Sequence, residues 1–168
     1  PPPVPARRRR VRADAARRRT LGRGRSDVRV LGLQPTQQCA ELTAQAVTVV
    51  APSVWQEAFG LVVVEALAAG VPPVASATGA FTELVDEGTT GLLHAPGDPA
   101  GLAARIAEIV DPARNADMGH AARARYERDF SPAAGLAALL AGYDAATGAH
   151  APVGTRAVGD ALPDSVGR

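Results

Sequence analysis

Two carboxylates, Glu57 and Glu65, stand with seven residues between them in the stretch Glu57-Ala-Phe-Gly-Leu-Val-Val-Val-Glu65. The segment places a loop containing Gly60 directly before an apolar helix that follows a buried strand. Backbone N–H groups at such a helix start lack intrahelical partners and carry partial positive charge. A phosphate could bind there without any basic side chain. Glycine at position 60 would let the anion approach the backbone closely. Glu65 falls about one turn further on, in a helix otherwise made of Leu, Val and Ala. A carboxylate on so apolar a helix is costly to bury unpaired, so Glu65 either faces solvent or holds hydroxyl donors such as those of a sugar. Glu57, in the preceding loop, could bind a second polyol. The plainer reading makes Glu65 part of a solvated stripe and Glu57 a surface residue, and the spacing of two glutamates does not decide between them.

The elements that must carry these residues alternate. The β-branched run Val28–Leu31, closed by Gly32, predicts a strand, and Pro35 to Ala46 a helix. Val47–Val50 reads as a short buried strand of the kind found in parallel sheets. Gly60–Ala69 reads as the apolar helix, stopped by Gly70 in a left-handed C′ position. Val71–Ala75 is the next strand, although neither Pro72 nor Pro73 can donate to a ladder. A short helix over Ala80–Asp86 and a strand over Gly91–His94 follow. Asp98-Pro99, Asp111-Pro112 and Ser131-Pro132 each set a capping oxygen before a proline at the first helical position. They predict helices over 99–110, 112–129 (broken near Asn115) and 132–146. Strands alternating with helices imply an α/β fold with a parallel sheet covered on both faces.

Composition agrees with this class and narrows the rest. Apolar residues make up 46% of the 168-residue chain, but aromatic residues only 4%, so Ala, Val, Leu and Gly must do the packing. Every one of the 18 basic residues is arginine, which with the abundance of Ala, Gly and Pro reflects GC-rich coding more than chemistry. Residues 1–25 hold ten arginines and one acid, Asp14, for a net of +9; the other 143 residues hold eight arginines and sixteen acids, for a net of −8. Residues 1–27 therefore read as a disordered Arg/Pro-rich arm with a frayed helix near Val11–Arg19, residues 28–146 as the domain, and 147–168 as a loose tail. The arm lacks interleaved aromatics, so no nucleic acid is expected as a partner.

Cys39 is the single cysteine, which excludes a disulfide framework and is expected to pack on the buried face of its helix. His94, His120 and His150 are spaced too irregularly for a metal motif. Trp55 either borders a pocket or packs. Ser53 follows a strand but sits in no Gly-x-Ser-x-Gly turn, so a hydrolase elbow is unsupported. No apolar run is long enough to span a bilayer and no signal h-region is present. The expected location is the cytoplasm, at most peripheral at the inner face of the membrane.

The stretch VVAPSVWQEAFGLVVVEALAAGVPPVAS, followed by TGAFTELVDEGTTGLLHAPGDPAGLAARI, resembles the family-four retaining glycosyltransferases of the GT-B fold. The likeness runs from about Val28 to Phe130 and includes the two-glutamate motif. It implies a partial doubly wound (Rossmann-like) sheet, the C-terminal, donor-binding half of such an enzyme. By the same resemblance Glu65 holds the ribose hydroxyls, and Glu57, the candidate catalytic residue, faces the donor sugar. The amides around Phe59, Gly60 and Leu61 line the sugar and diphosphate, and Thr78, Gly79 and Ala80 form a turn that approaches the donor. Glu57 and Glu65 are then binding and orienting groups, unlike the carboxylate pair of a glycoside hydrolase. The implied reaction is glycosyl transfer with retention from a UDP-, GDP- or ADP-sugar, with no metal cofactor, to an unidentified glycan, lipid or small molecule.

The resemblance also implies that something precedes the match. Such enzymes begin with an acceptor domain, and their donor domain opens with two strand–helix units that carry an Arg and a Lys for the diphosphate. The chain is thus expected to be truncated on its N-terminal side: a gene remnant, a frameshift fragment, or one half of a split enzyme whose other chain supplies the acceptor domain. In a sheet of order 3-2-1-4-5-6, Val28–Leu31 would lack a neighbour and Val47–Val50 would present a bare edge. Leu136, Leu139 and Leu140 would stay partly exposed. The expected consequence is a fragment inactive alone; the alternative is a non-catalytic nucleotide-sugar-binding or partner-docking module.

Overall fold

A computed structural model describes residues 25–147. Most of the Arg/Pro-rich segment, the helix expected at Val11–Arg19, His150 and nearly all of the tail lie outside the described residues. The chain divides into two units, one up to Ala46 and one from Val47 onward.

In the first unit, helix α1 covers Thr36–Ala44, is led in by Pro35 and buries none of its residues. Cys39, expected on a buried face of this helix, is instead exposed. The strand expected over Val28–Leu31 is also absent: these residues have no regular structure, and Val28, Val30 and Leu31 are exposed. β-Branched composition makes a strand only where the backbone N–H and C=O groups find a neighbour to pair with. The three-stranded sheet of this protein does not include them.

The second unit runs β1 (Val49–Ala51), α2 (Leu61–Ala68), β2 (Pro73–Ser76), α3 (Phe81–Leu84), β3 (Leu92–His94), α4 (Pro99–Ile109), α5 (Pro112–Arg125), a π-helical turn over Tyr126–Phe130, and α6 (Pro132–Thr147). The strands are parallel in the order β1-β2-β3, with Val50 opposite Val74 and Ala75 opposite Leu93. Alternation along each strand sends successive side chains to opposite faces. Ala51 and Ala75 pack with Val63, Val64 and Leu67 of α2 and with Phe81, Leu84 and Ala122. Val74 and Leu92 pack on the other face with Ile109 and Met118. Helices therefore cover both faces of the sheet, as the alternating pattern predicts.

Pro73 is tolerated in the central strand because it is the first residue, where a missing N–H breaks least of the ladder. Its ring is met by Gly91: a Cβ there would stand 2.9 Å from Pro73 Cδ and 3.0 Å from Pro73 Cγ. Helix α2 ends as expected at Gly70 (φ +68°), with Gly70 N–H donating to Leu67 O at 3.0 Å and Val71 N–H to Ala66 O at 3.0 Å, a Schellman pair. All three proline-led helices carry their caps. Asp98 accepts from Ala100 and Gly101, Asp111 from Arg114, and Ser131 from Ala134. The break expected near Asn115 does not occur. The Asn115 amide, instead of competing for its own helix, donates to Val47 O at 2.9 Å and Ile109 O at 3.0 Å, tying α5 to the approach to β1. The irregularity falls later, at the π-helical turn.

The two sheet edges differ. On β3, Leu93 N–H donates to Glu87 at 2.6 Å and its carbonyl accepts from Arg105 Nε at 3.0 Å, so side chains occupy the groups another strand would pair with. On β1, Val50 is exposed. Leu136, Leu139 and Leu140 of α6 are exposed as well, as the sequence predicts.

Candidate functional site

Because all three strands are parallel, their carboxyl ends lie along one edge, and the connections after β1 and β2 leave from it. In open α/β sheets that edge is where ligands bind. The loop of residues 52–60 follows β1 and carries Glu57; residues 77–80 follow β2.

These two loops are joined backbone to backbone. Ala80 N–H donates to Glu57 O at 3.0 Å. Gly79 has φ +53°, and a Cβ there would lie 2.6 Å from both the N and the O of Glu57. Only glycine allows the approach, for steric reasons and for its left-handed backbone. Thr82 Oγ1 closes the second loop by donating to Gly79 O at 2.9 Å.

Glu57 is half-buried. Its Oε1 accepts from Ser53 Oγ at 2.7 Å and from Trp55 Nε1 at 3.1 Å. Trp55 is 67% exposed, so the indole does not serve as core packing. Nothing in the residue order marks Ser53 and Trp55 as converging on one oxygen of Glu57. Their offsets of four and two from Glu57 carry no periodic signal, because an irregular loop decides which side chains converge.

Gly60 is the N-cap of α2, with φ +81°. A Cβ on it would stand 2.6 Å from Phe81 Cε1, so the space beside Gly60 is filled by a buried ring. The Gly60 carbonyl accepts from Val63 N–H at 2.9 Å, which starts the helix and leaves the amides of Leu61 and Val62 without an acceptor among the described residues. Leu61 and Val62 are exposed, and so are Phe59, Trp55 and Val54. Five large apolar side chains open to solvent within nine positions make this the kind of surface that meets a ligand or another domain. Glu65 shares the exposed side of α2 with Leu61, four residues earlier, while Val63, Val64, Ala66 and Leu67 are buried. The Glu65 carboxylate has no hydrogen-bond or ion-pair partner among the described residues, although its backbone carbonyl accepts from Ala69 N–H at 3.1 Å.

The other polar features are structural. Buried His94 and Ser76 pin the ends of β3 and β2, with His94 Nε2 3.3 Å from Ser76 Oγ and Nδ1 2.8 Å from Ala95 O. Among the described residues no three of His, Cys, Asp and Glu gather into a metal-ligating group. One open groove of about 460 Å³ lies by His94, Glu87 and Arg105, and another of about 490 Å³ by Gly70, Asn115, His120 and Arg123. Neither includes Glu57 or Glu65. Arg105 is engaged by Leu93 O, Glu87 and Glu108 and has little left to offer a ligand.

The sequence profile of the family described as glycosyl transferases group 1 matches residues 20–125. The chain belongs to this family. It is 39% identical to the D-inositol 3-phosphate glycosyltransferase of Streptomyces avermitilis over 115 residues, covering 68% of this chain and 24% of that enzyme. Among solved structures, it superposes on the sucrose-phosphate synthase of Thermosynechococcus elongatus with a TM-score of 0.70 and 33% identity, covering 86% of this chain and 35% of the other. It superposes on Anabaena HepE in complex with UDP-glucose with a TM-score of 0.68 and 29% identity, covering 83% and 38%. The chain thus spans about a quarter of the length of that curated relative. The partial doubly wound α/β fold expected from the resemblance to GT-B glycosyltransferases is the fold found. Among the described residues no helix is long and apolar enough to cross a membrane.

Proposed function

We propose that this group 1 glycosyl transferase chain is a donor-binding part, holding a nucleoside-diphosphate sugar for glycosyl transfer with retention of configuration. One observation carries the reading: the Glu57 loop, the start of α2 and the Thr78–Ala80 turn are interlocked at the carboxyl edge of the sheet, through Gly79 against Glu57 and Gly60 against Phe81. That HepE was captured with UDP and UDP-glucose supports the choice of ligand class.

The diphosphate would lie at the amides of Leu61 and Val62, where the helix dipole and free N–H groups favour an anion without a basic side chain. Glu65, exposed on the same helix, accepts from two ribose hydroxyls. Glu57 faces the sugar and orients it, acting as the candidate catalytic group at the reacting ring. Phe59 and the Thr78-Gly79-Ala80 turn close the donor from two sides. The chemistry needs positioning more than acid–base strength, so no metal ion is part of the reading. The acceptor, and the residues that bind it, belong to parts of the enzyme beyond the stretch matched here, and the 168-residue chain alone is expected to bind without turnover. The setting we propose is cytoplasmic, where nucleotide sugars are available.

Calorimetric titration of the purified, folded chain with UDP, GDP and ADP tests this. Saturable binding of one nucleotide that Glu65→Ala weakens supports the donor site. Binding indifferent to Glu65→Ala places the nucleotide elsewhere and overturns it. Release of free sugar from a nucleotide sugar by the chain alone would refute its inactivity.

A further inference from the structure

We infer that Ser53 and Trp55 are positioning residues for Glu57, holding one carboxylate oxygen so that the other is presented to the donor sugar. This rests on the donor-site reading and deepens it. A carboxylate has two oxygens and about four lone-pair sites. In this structure Oε1 takes both local donors, the Ser53 hydroxyl at 2.7 Å and the Trp55 indole N–H at 3.1 Å, while Oε2 has no partner among the described residues. The backbone of Glu57 is clamped independently by Ala80 N–H and by the approach of Gly79. Backbone and carboxylate are thus both restrained, by different elements.

A glutamate in an exposed loop ordinarily samples many rotamers, and ordering it when a ligand arrives costs affinity. Two donors on one oxygen settle that cost on folding and select which oxygen faces outward. Indole is a donor only, so the Trp55 contact cannot reverse its sense. Trp55 is also two-thirds exposed, an arrangement that burial alone does not account for. The hydrogen bond to Glu57 does account for the direction of its N–H.

The prediction is separable from nucleotide binding, because Ser53 and Trp55 act on the sugar end alone. UDP and UDP-glucose are titrated calorimetrically into wild type, Ser53→Ala, Ser53→Thr and Trp55→Phe. The ratio of UDP-glucose to UDP affinity should fall about three- to tenfold in Ser53→Ala and in Trp55→Phe. UDP affinity should stay within about twofold, and Ser53→Thr, which keeps the hydroxyl, should restore the ratio. A purely structural role would move both ligands together and would overturn the proposal, as would an unchanged ratio. Trp55 is the only tryptophan in the chain, so its emission reports the contact without ligand. Glu57→Ala should shift that emission, and an unshifted spectrum overturns the geometry itself. If neither UDP nor UDP-glucose binds, GDP and ADP with their sugars take their place in the same series. Absence of binding by all three nucleotides would remove the donor-site reading and this inference together, whereas an unchanged ratio with Glu65-dependent nucleotide binding would remove this inference only.

Discussion

The ring of Phe81 occupies the place where a side chain at Gly60 would be, with Cε1 2.6 Å from an ideal Cβ at that position. Gly60 also holds φ +81°, which L side chains rarely adopt. The start of α2 is thus set by a glycine that steric fit and backbone both require. Gly60→Ala should cost about 2–4 kcal/mol, combining overpacking against a rigid ring with left-handed strain. The midpoint of urea unfolding should fall without a change in slope. Adding Phe81→Leu should recover part of the loss, since the two sites touch. Strict additivity in that double variant would show that the ring is not the obstacle.

Gly79 poses the same problem between two backbones. A methyl group there meets the N and O of Glu57, neither of which can rotate away. Gly79→Ala should lower stability by about 1–3 kcal/mol and displace the Glu57 loop. Fluorescence of Trp55 reads the displacement directly. An unchanged spectrum together with unchanged stability would mean that the loops part more easily than their contact implies.

Glu65→Ala separates function from fold. Glu65 is exposed and its carboxylate has no partner among the described residues, so the change should leave stability within about 0.5 kcal/mol. Loss of two charged hydrogen bonds to a ribose should weaken nucleotide binding at least about tenfold. Parallel thermal melts and titrations check both halves. A large stability loss would mean that Glu65 serves the fold instead.

Acid should weaken the fold through the Arg105–Glu108 pair. The hydrogen bond from Arg105 holds the Glu108 carboxyl below its ordinary value, with Arg114 and Arg105 adding charge attraction against the opposing effect of partial desolvation. A carboxylate whose folded pKa is depressed contributes stability above its unfolded pKa and loses it as pH falls through the folded one. Stability should therefore drop below the usual carboxylate range, and Glu108→Gln should flatten that drop while leaving acid stability nearly unchanged. Urea midpoints from pH 7 to pH 3 provide the comparison. The effect should shrink in high salt, because the pair is near solvent.

Much of the helical framework was legible because its signals are local. Asp98, Asp111 and Ser131 cap their own helices within three residues, and α2 ends at Gly70, where Gly70 N–H donates to Leu67 O and Val71 N–H to Ala66 O. The apolar runs that become β1, β2 and β3 were legible too, within one or two residues. Val28–Leu31 shows the limit. Its composition is as strand-like as that of Val49–Ala51, but a strand is defined by pairing, and pairing is not a property of four residues. Cys39 failed for a related reason: a helix has a buried face only when something packs on it, and α1 buries no residue.

For the site, the sequence alone held the two glutamates, the glycine at a helix start and the family resemblance, all of which depend on residue order. Several relationships lay outside its reach: Phe81 against Gly60, Gly79 against Glu57, and Ser53 with Trp55 on one oxygen of Glu57. The first two join positions more than twenty residues apart, and they exist because parallel strands bring successive loops to the same edge. The third depends on the turn of an irregular loop, which no periodicity encodes. Chemical identity is local along a chain, whereas convergence of side chains depends on where the sheet and its loops carry them.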